Sequence, residues 1–243
     1  MPPLLVLLLA AGAAMAAAGV IAIRASGAQP RLARRLAGAR QVRVGDVPNL
    51  RALPPRPVRV VGRIRCPNPM VIERGDRLVA YHRDVQVKPP GAAWRSIERV
   101  RETRGFELWD HDGSIGVDPA LAAEPLVVIP HVWRGTTRDL TDPSHRAAVA
   151  RLGNTGADWP ARSITRMVSV VERLTVVASI ERDSAGQPTL AAPPGGYVIS
   201  SLELPDAMRL LGGNRRWLML AGYAAVAMGV VLGVGALVSS ALT

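Results

Sequence analysis

The sequence holds one cysteine, Cys66, so it closes no internal disulfide and reveals no redox compartment. With that thiol and four scattered histidines (His82, His111, His131 and His145), it cannot supply the paired ligands of a zinc RING or ribbon. Aromatic rings are scarce too: five Trp, three Tyr and one Phe in 243 residues. Nucleic-acid modules combine basic grooves with stacking rings, and two of these few rings, Trp217 and Tyr223, belong to the apolar ends, so no nucleic-acid partner is expected. The Gly-rich stretch at 212–216 lacks the Lys-Ser/Thr pair and preceding strand of a phosphate loop. A GxSxG nucleophile elbow is absent as well. Neither a cofactor nor a metal is expected.

Charge is present but unevenly placed. Of the net +11, residues 24–65 carry +10: eleven Arg against a single acid, Asp46. The remainder of the chain is nearly neutral. Residues 4–23 and 217–242 are two runs without a charge, each long enough as a helix to cross a hydrocarbon core of about 30 Å. They predict transmembrane helices within 1–23 and 213–243, although a cleaved leader is the alternative for the first. Arg24, Arg31, Arg34, Arg35, Arg40 and Arg43 form a basic, lipid-facing collar in a connector over 24–57, broken by Pro48, Pro54, Pro55 and Pro57. The excess of Arg beside both runs predicts an integral membrane protein with its middle domain on the cytoplasmic side. Gly229 and Gly233 make a GxxxG pair suited to close helix packing, between the two spans or between copies.

From Val58 onward the pattern turns to short β-type runs. Strands are expected at 58–64, 77–81, 84–88, 106–110, 114–117, 126–130, 167–171, 174–180 and 196–200. His111-Asp112-Gly113 predicts a hairpin turn. Asp142 as cap, Pro143 at the first helical position and Gly153 as stop predict a helix near 143–152, and a second short helix is expected at 205–213. The expected fold is mainly β, an antiparallel sandwich or small barrel over 58–212, with one or two short helices and a transmembrane α-helix at each end.

Candidate chemistry is thin. Asp110, His111 and Asp112 invite an acid–base or metal reading, but Asp in a tight turn bonds its own backbone without any ligand. His82 follows Tyr81 and His131 lies near Trp133, neither with a partner at a telling spacing. Cys66 sits between basic residues and Pro67, where positive charge lowers a thiol pKa. Trp94, Trp133 and Trp159 fall in expected loops or strand ends and are the choice for partner contacts.

The layout resembles the GIDE, or beside-a-membrane, domain of the mitochondrial membrane-anchored ubiquitin ligases and their bacterial relatives. The residues that carry the resemblance are Gly62, Tyr81, and Phe106, Leu108, Asp110, Gly113, Val117 and Pro119 of FELWDHDGSIGVDP, with the late segment VVERLTVVASIE. In the ligases a RING follows the second helix, and this chain has no such cysteines. The resemblance therefore implies a non-catalytic interaction or scaffold domain tethered to a bilayer, with anionic lipids, another membrane protein or a second copy as partner. The alternative is an enzyme: a transferase by family descent, or a hydrolase using Asp110 or His111. Convergence of Asp110, His111, His131 and Cys66 in one pocket discriminates between them.

Overall fold

The structure, a computed structural model, describes residues 3–25, 28–72, 75–153, 156–213 and 216–241; within the first and last helices it describes the side chains of 9–22 and 220–235. In chain order the elements are α1 (Pro3–Ala25), α2 (Gln29–Gly38), β1 (Arg40–Val42), β2 (Val58–Arg65), β3 (Met70–Val71), β4 (Arg77–Val87), β5 (Arg95–Thr103), β6 (Phe106–Asp110) and β7 (Gly113–Val117). These are followed by β8 (His131–Thr136), α3 (Pro143–Arg151), β9 (Pro160–Ser169), β10 (Arg173–Arg182), β11 (Pro188–Ala191), β12 (Val198–Ser200), α4 (Leu204–Gly212) and α5 (Arg216–Ala241). The chain divides into two compact units, residues 1–37 with 208–243, and residues 38–207.

In the first unit α1 packs on α5 through missing side chains. A Cβ on Gly12 would lie 2.9 Å from the Gly229 carbonyl oxygen, and one on Gly229 would lie 2.8 Å from the Ala16 nitrogen. Gly233 presents its backbone to Gly12. The small residues thus serve a contact within one chain, where glycine lets two backbones approach. α2 is amphipathic: Leu32, Ala33 and Leu36 are buried, while Arg31 and Arg34 are exposed.

The expectation of a transmembrane helix at each end is corrected. Among the described residues no helix is long and apolar enough to cross a membrane. The integral two-span location falls with that expectation, and so does the sidedness argued from flanking charge. The side chain of Arg24 lies outside the described residues. Of the other collar arginines, Arg31, Arg34, Arg40 and Arg43 are exposed and Arg35 is half-buried. α3 and α4 form at the two places where short helices are expected, and α2 is a further helix in the connector.

The second unit is built on two sheets. The larger runs β11-β10-β2-β6-β7, with β1 parallel to β2 and β12 on β10. Its end strands β7 and β11 approach each other, so the sheet curls nearly into a closed barrel. Strand alternation fills that barrel: Val58, Val60 and Ile64 of β2 point inward with Leu108, Leu174 and Val176, while Arg59, Arg63 and Arg65 point out. Truncation of a fully buried leucine such as Leu108 to Ala costs about 2–5 kcal/mol.

The smaller sheet runs β3-β4-β9-β8, with β5 on the other side of β4. The two expected strands at 77–81 and 84–88 are one eleven-residue strand, β4. The apolar run 126–130 is not a strand; Val127 makes a single bridge to Ser200, Leu126, Val127 and Val128 are buried loop, and Ile129 is exposed, with β8 forming just after it. Strands β5 and β8, both rich in exposed residues, were not expected. The hairpin turn forms as Asp110 pairs with Gly113, and Asp142 caps α3 by accepting from the Ser144 N–H.

Candidate functional site

Alternation along β4 sends Arg83, Val85 and Val87 to one face and His82, Asp84 and Gln86 to the other. The first face is closed by α3. Val85 and Val87 pack with Leu140, Val149, Trp159 and Ala161, so Trp159 is a core residue. Arg83 donates to one oxygen of Glu98 at 2.6 and 3.0 Å, and His145 of α3 places Nε2 3.2 Å from the same oxygen. Burial pushes the Glu98 carboxyl up, but the hydrogen bonds from Arg83 and His145 outweigh it and hold the group below its ordinary range. Glu98, Asp142 and His145 bring ligand-type atoms within 4.8 Å of one another. Arg83 already occupies Glu98, and Asp142 is engaged in capping α3. A cation would have to displace both contacts, so the cluster is a clamp that fastens α3 to β5.

The opposite face carries three polar rows across β5, β4 and β9. In the first, Arg162 donates to Gln86 Oε1 at 2.7 and 2.9 Å and stacks over Trp94, 4.1 Å from the ring centroid. In the second, Asp84 lies between Arg99 and Ile164; its carboxylate accepts from Ser96 at 2.5 Å and from Gln86 at 2.6 Å. In the third, His82 sits directly between Arg101 and Arg166. Like charges opposite one another on a sheet repel. Glu124, reaching in from a loop, accepts from Arg101 at 2.5 Å, and that hydrogen bond keeps its carboxyl low. Arg166 has no ion pair and His82 no hydrogen bond among the described residues. Burial lowers the Arg166 guanidinium pKa, with Arg101 adding to it. Burial, reinforced by the Arg101 charge, drives His82 down to about 4. His82 is 7% exposed and lines a cavity of about 250 Å³ with Asp84, Arg99, Arg101, Glu124 and Arg166.

The other candidates lie apart. Asp110, His111 and Asp112 border a cavity of about 760 Å³ at the fork where β1 and β6 leave β2, together with Arg43, Arg63 and Arg173. Asp110 Oδ1 accepts from the Asp112 N–H at 2.9 Å, the self-bonded turn that needs no ligand. His131 lines a different cavity, of about 330 Å³, with Asp76 and Glu172. There burial raises the Glu172 carboxyl against a hydrogen bond from Ser201, but no hydrogen bond joins it to His131 among the described residues. Cys66 is half-buried and directs its thiol at the Gly105 carbonyl, 3.5 Å away. Asp110, His111, His131 and Cys66 therefore share no pocket. Trp133 stands 41% exposed on β8, its ring lying over Gly135, and Trp94 is held under Arg162.

Arg101, Glu124 and Arg166, with Glu98, His145 and Glu172, were not singled out from sequence. Their partners are distant along the chain, and in β5 charged residues fall on both faces, which erases the alternation that marks a strand. Comparison of the chain with protein-family models, with curated proteins and with solved structures finds no match.

Proposed function

We propose that this chain is a non-catalytic interaction domain of the GIDE kind, without a RING, that receives an extended segment of a partner protein along β8. The observation that carries this reading is the open edge of the smaller sheet. β8 pairs only with β9 among the described residues, and beside that edge Ile129, Val132 and Trp133 are 68, 39 and 41% exposed. An uncovered edge offers a row of backbone donors and acceptors, and exposed apolar side chains add pockets for specificity. The scatter of the would-be catalytic residues supports the same reading, since general acid–base chemistry requires groups within hydrogen-bond reach of one another.

A photo-crosslinking residue at position 133 tests it. The expected result is capture of a protein partner that disappears when Val132→Lys places a charge on the edge, with the circular dichroism spectrum unchanged. Capture that is indifferent to Val132→Lys overturns the edge-pairing reading.

A further inference from the structure

We propose that the cavity over the Arg101–His82–Arg166 row binds a small phosphate-class oxyanion, free or carried as a monoester. The site faces inward from three strands and one loop: His82 and Asp84 from β4, Arg99 and Arg101 from β5, Arg166 from β9, and Glu124 from the loop before β8. Three guanidiniums meet two carboxylates there, and both carboxylates are spent, Asp84 on Ser96 and Gln86 and Glu124 on Arg101. That leaves two guanidiniums without an ion pair among the described residues: Arg99, which is exposed, and Arg166, which is partly buried and feels Asp84 and Glu124 only at a distance. A desolvated charge without a direct ion-pair partner is costly, and a bound anion reduces the cost.

The rows above show the contrast within one face. There every polar side chain on β4 is hydrogen-bonded to a neighbour, and only at the cavity does the network stop. His82 is more than nine-tenths buried with its ring in the cavity and no hydrogen bond among the described residues. The volume of about 250 Å³ takes a tetrahedral anion and a few waters, each about 30 Å³. Arg166, on one side of the ring, supplies a planar donor fork that matches a phosphoryl group, while Arg101, on the other, already donates to Glu124 and to the Arg83 and Val100 carbonyls and contributes charge. An anion there also offsets the Arg101 and Arg166 charges that press on His82, so binding favours a proton on the ring. This inference is independent of the β8 edge and survives its failure.

The test is calorimetric titration of the full chain at low salt near pH ~5, between the two His82 protonation regimes. One arm uses inorganic phosphate and the other glycerol 3-phosphate. The expected result is saturable binding in at least one arm, with proton uptake read from the dependence of the heat on buffer. Phosphate alone identifies a free ion as the ligand; the monoester alone identifies an esterified group. Arg166→Met should weaken binding about tenfold or more. His82→Gln should abolish proton uptake while a thermal melt confirms the fold. Val132→Lys should change neither. Absence of heat in both arms, or affinity unaltered in Arg166→Met, overturns the proposal.

Discussion

Arg83 and Arg166 stand on neighbouring strands of one sheet and are both half-buried, yet their surroundings are opposite. Arg83 projects toward α3 and finds Glu98, which raises its pKa in spite of burial. Arg166 projects to the other face, beside His82 and Arg101, and burial lowers its pKa. The same residue type in the same sheet is a fastener on one face and an unmet charge on the other. The difference lies in what covers each face. A helix supplies His145 and closes the first; the second holds an open cavity whose acids are already engaged.

The comparison is broken most severely from the clamped side. Glu98→Ala strips a shared carboxylate from Arg83 and His145 at once, and should cost about 2 kcal/mol of stability by urea denaturation. On the open side the largest effect is pH. His82 titrates at about 4 in the folded chain against 6.5 as its ordinary value. As pH falls, the unfolded chain takes up this proton first. The stability held by neutral His82 is thus complete above pH 6.5 and is lost as pH descends toward 4. A loss on the order of 2 kcal/mol between pH 7 and pH 4 is expected, and His82→Gln should flatten that slope. Smaller still, and opposite in sign, Arg166→Met should stabilise the anion-free chain by about 1 kcal/mol, because it removes a desolvated charge that no acid meets. The same exchange at Arg83 should destabilise. A pair of substitutions with the same sign would erase the contrast.

The sequence spoke clearly where a single local signal decides structure. The alternation of β2, the self-bonded turn at Asp110–Gly113 and the Asp142-Pro143 start of α3 are set by neighbours in the chain. It spoke poorly where tertiary context decides. RSIERVRET forms β5 because its Ser96, Glu98 and Arg101 find Asp84, Arg83 and Glu124 on other elements, not because of any period of its own. The apolar run 126–130 carried the composition of a strand but is a loop buried over Leu126–Val128, and apolar content alone does not separate the two. The terminal apolar runs promised spans, but among the described residues no helix is long and apolar enough to cross a membrane. Of the candidate site, His82 was visible only as a lone histidine. The row that gives it meaning is assembled by strand register across residues far apart in the chain.

The most direct measurement is the ring titration of His82 by NMR in the full chain, in a phosphate-free and sulfate-free buffer. The account predicts that the ring stays neutral until about pH 4. Titration at the ordinary value of 6.5 would mean that His82 is neither desolvated nor pressed by Arg101, and that the unmet positive charge of this face does not exist.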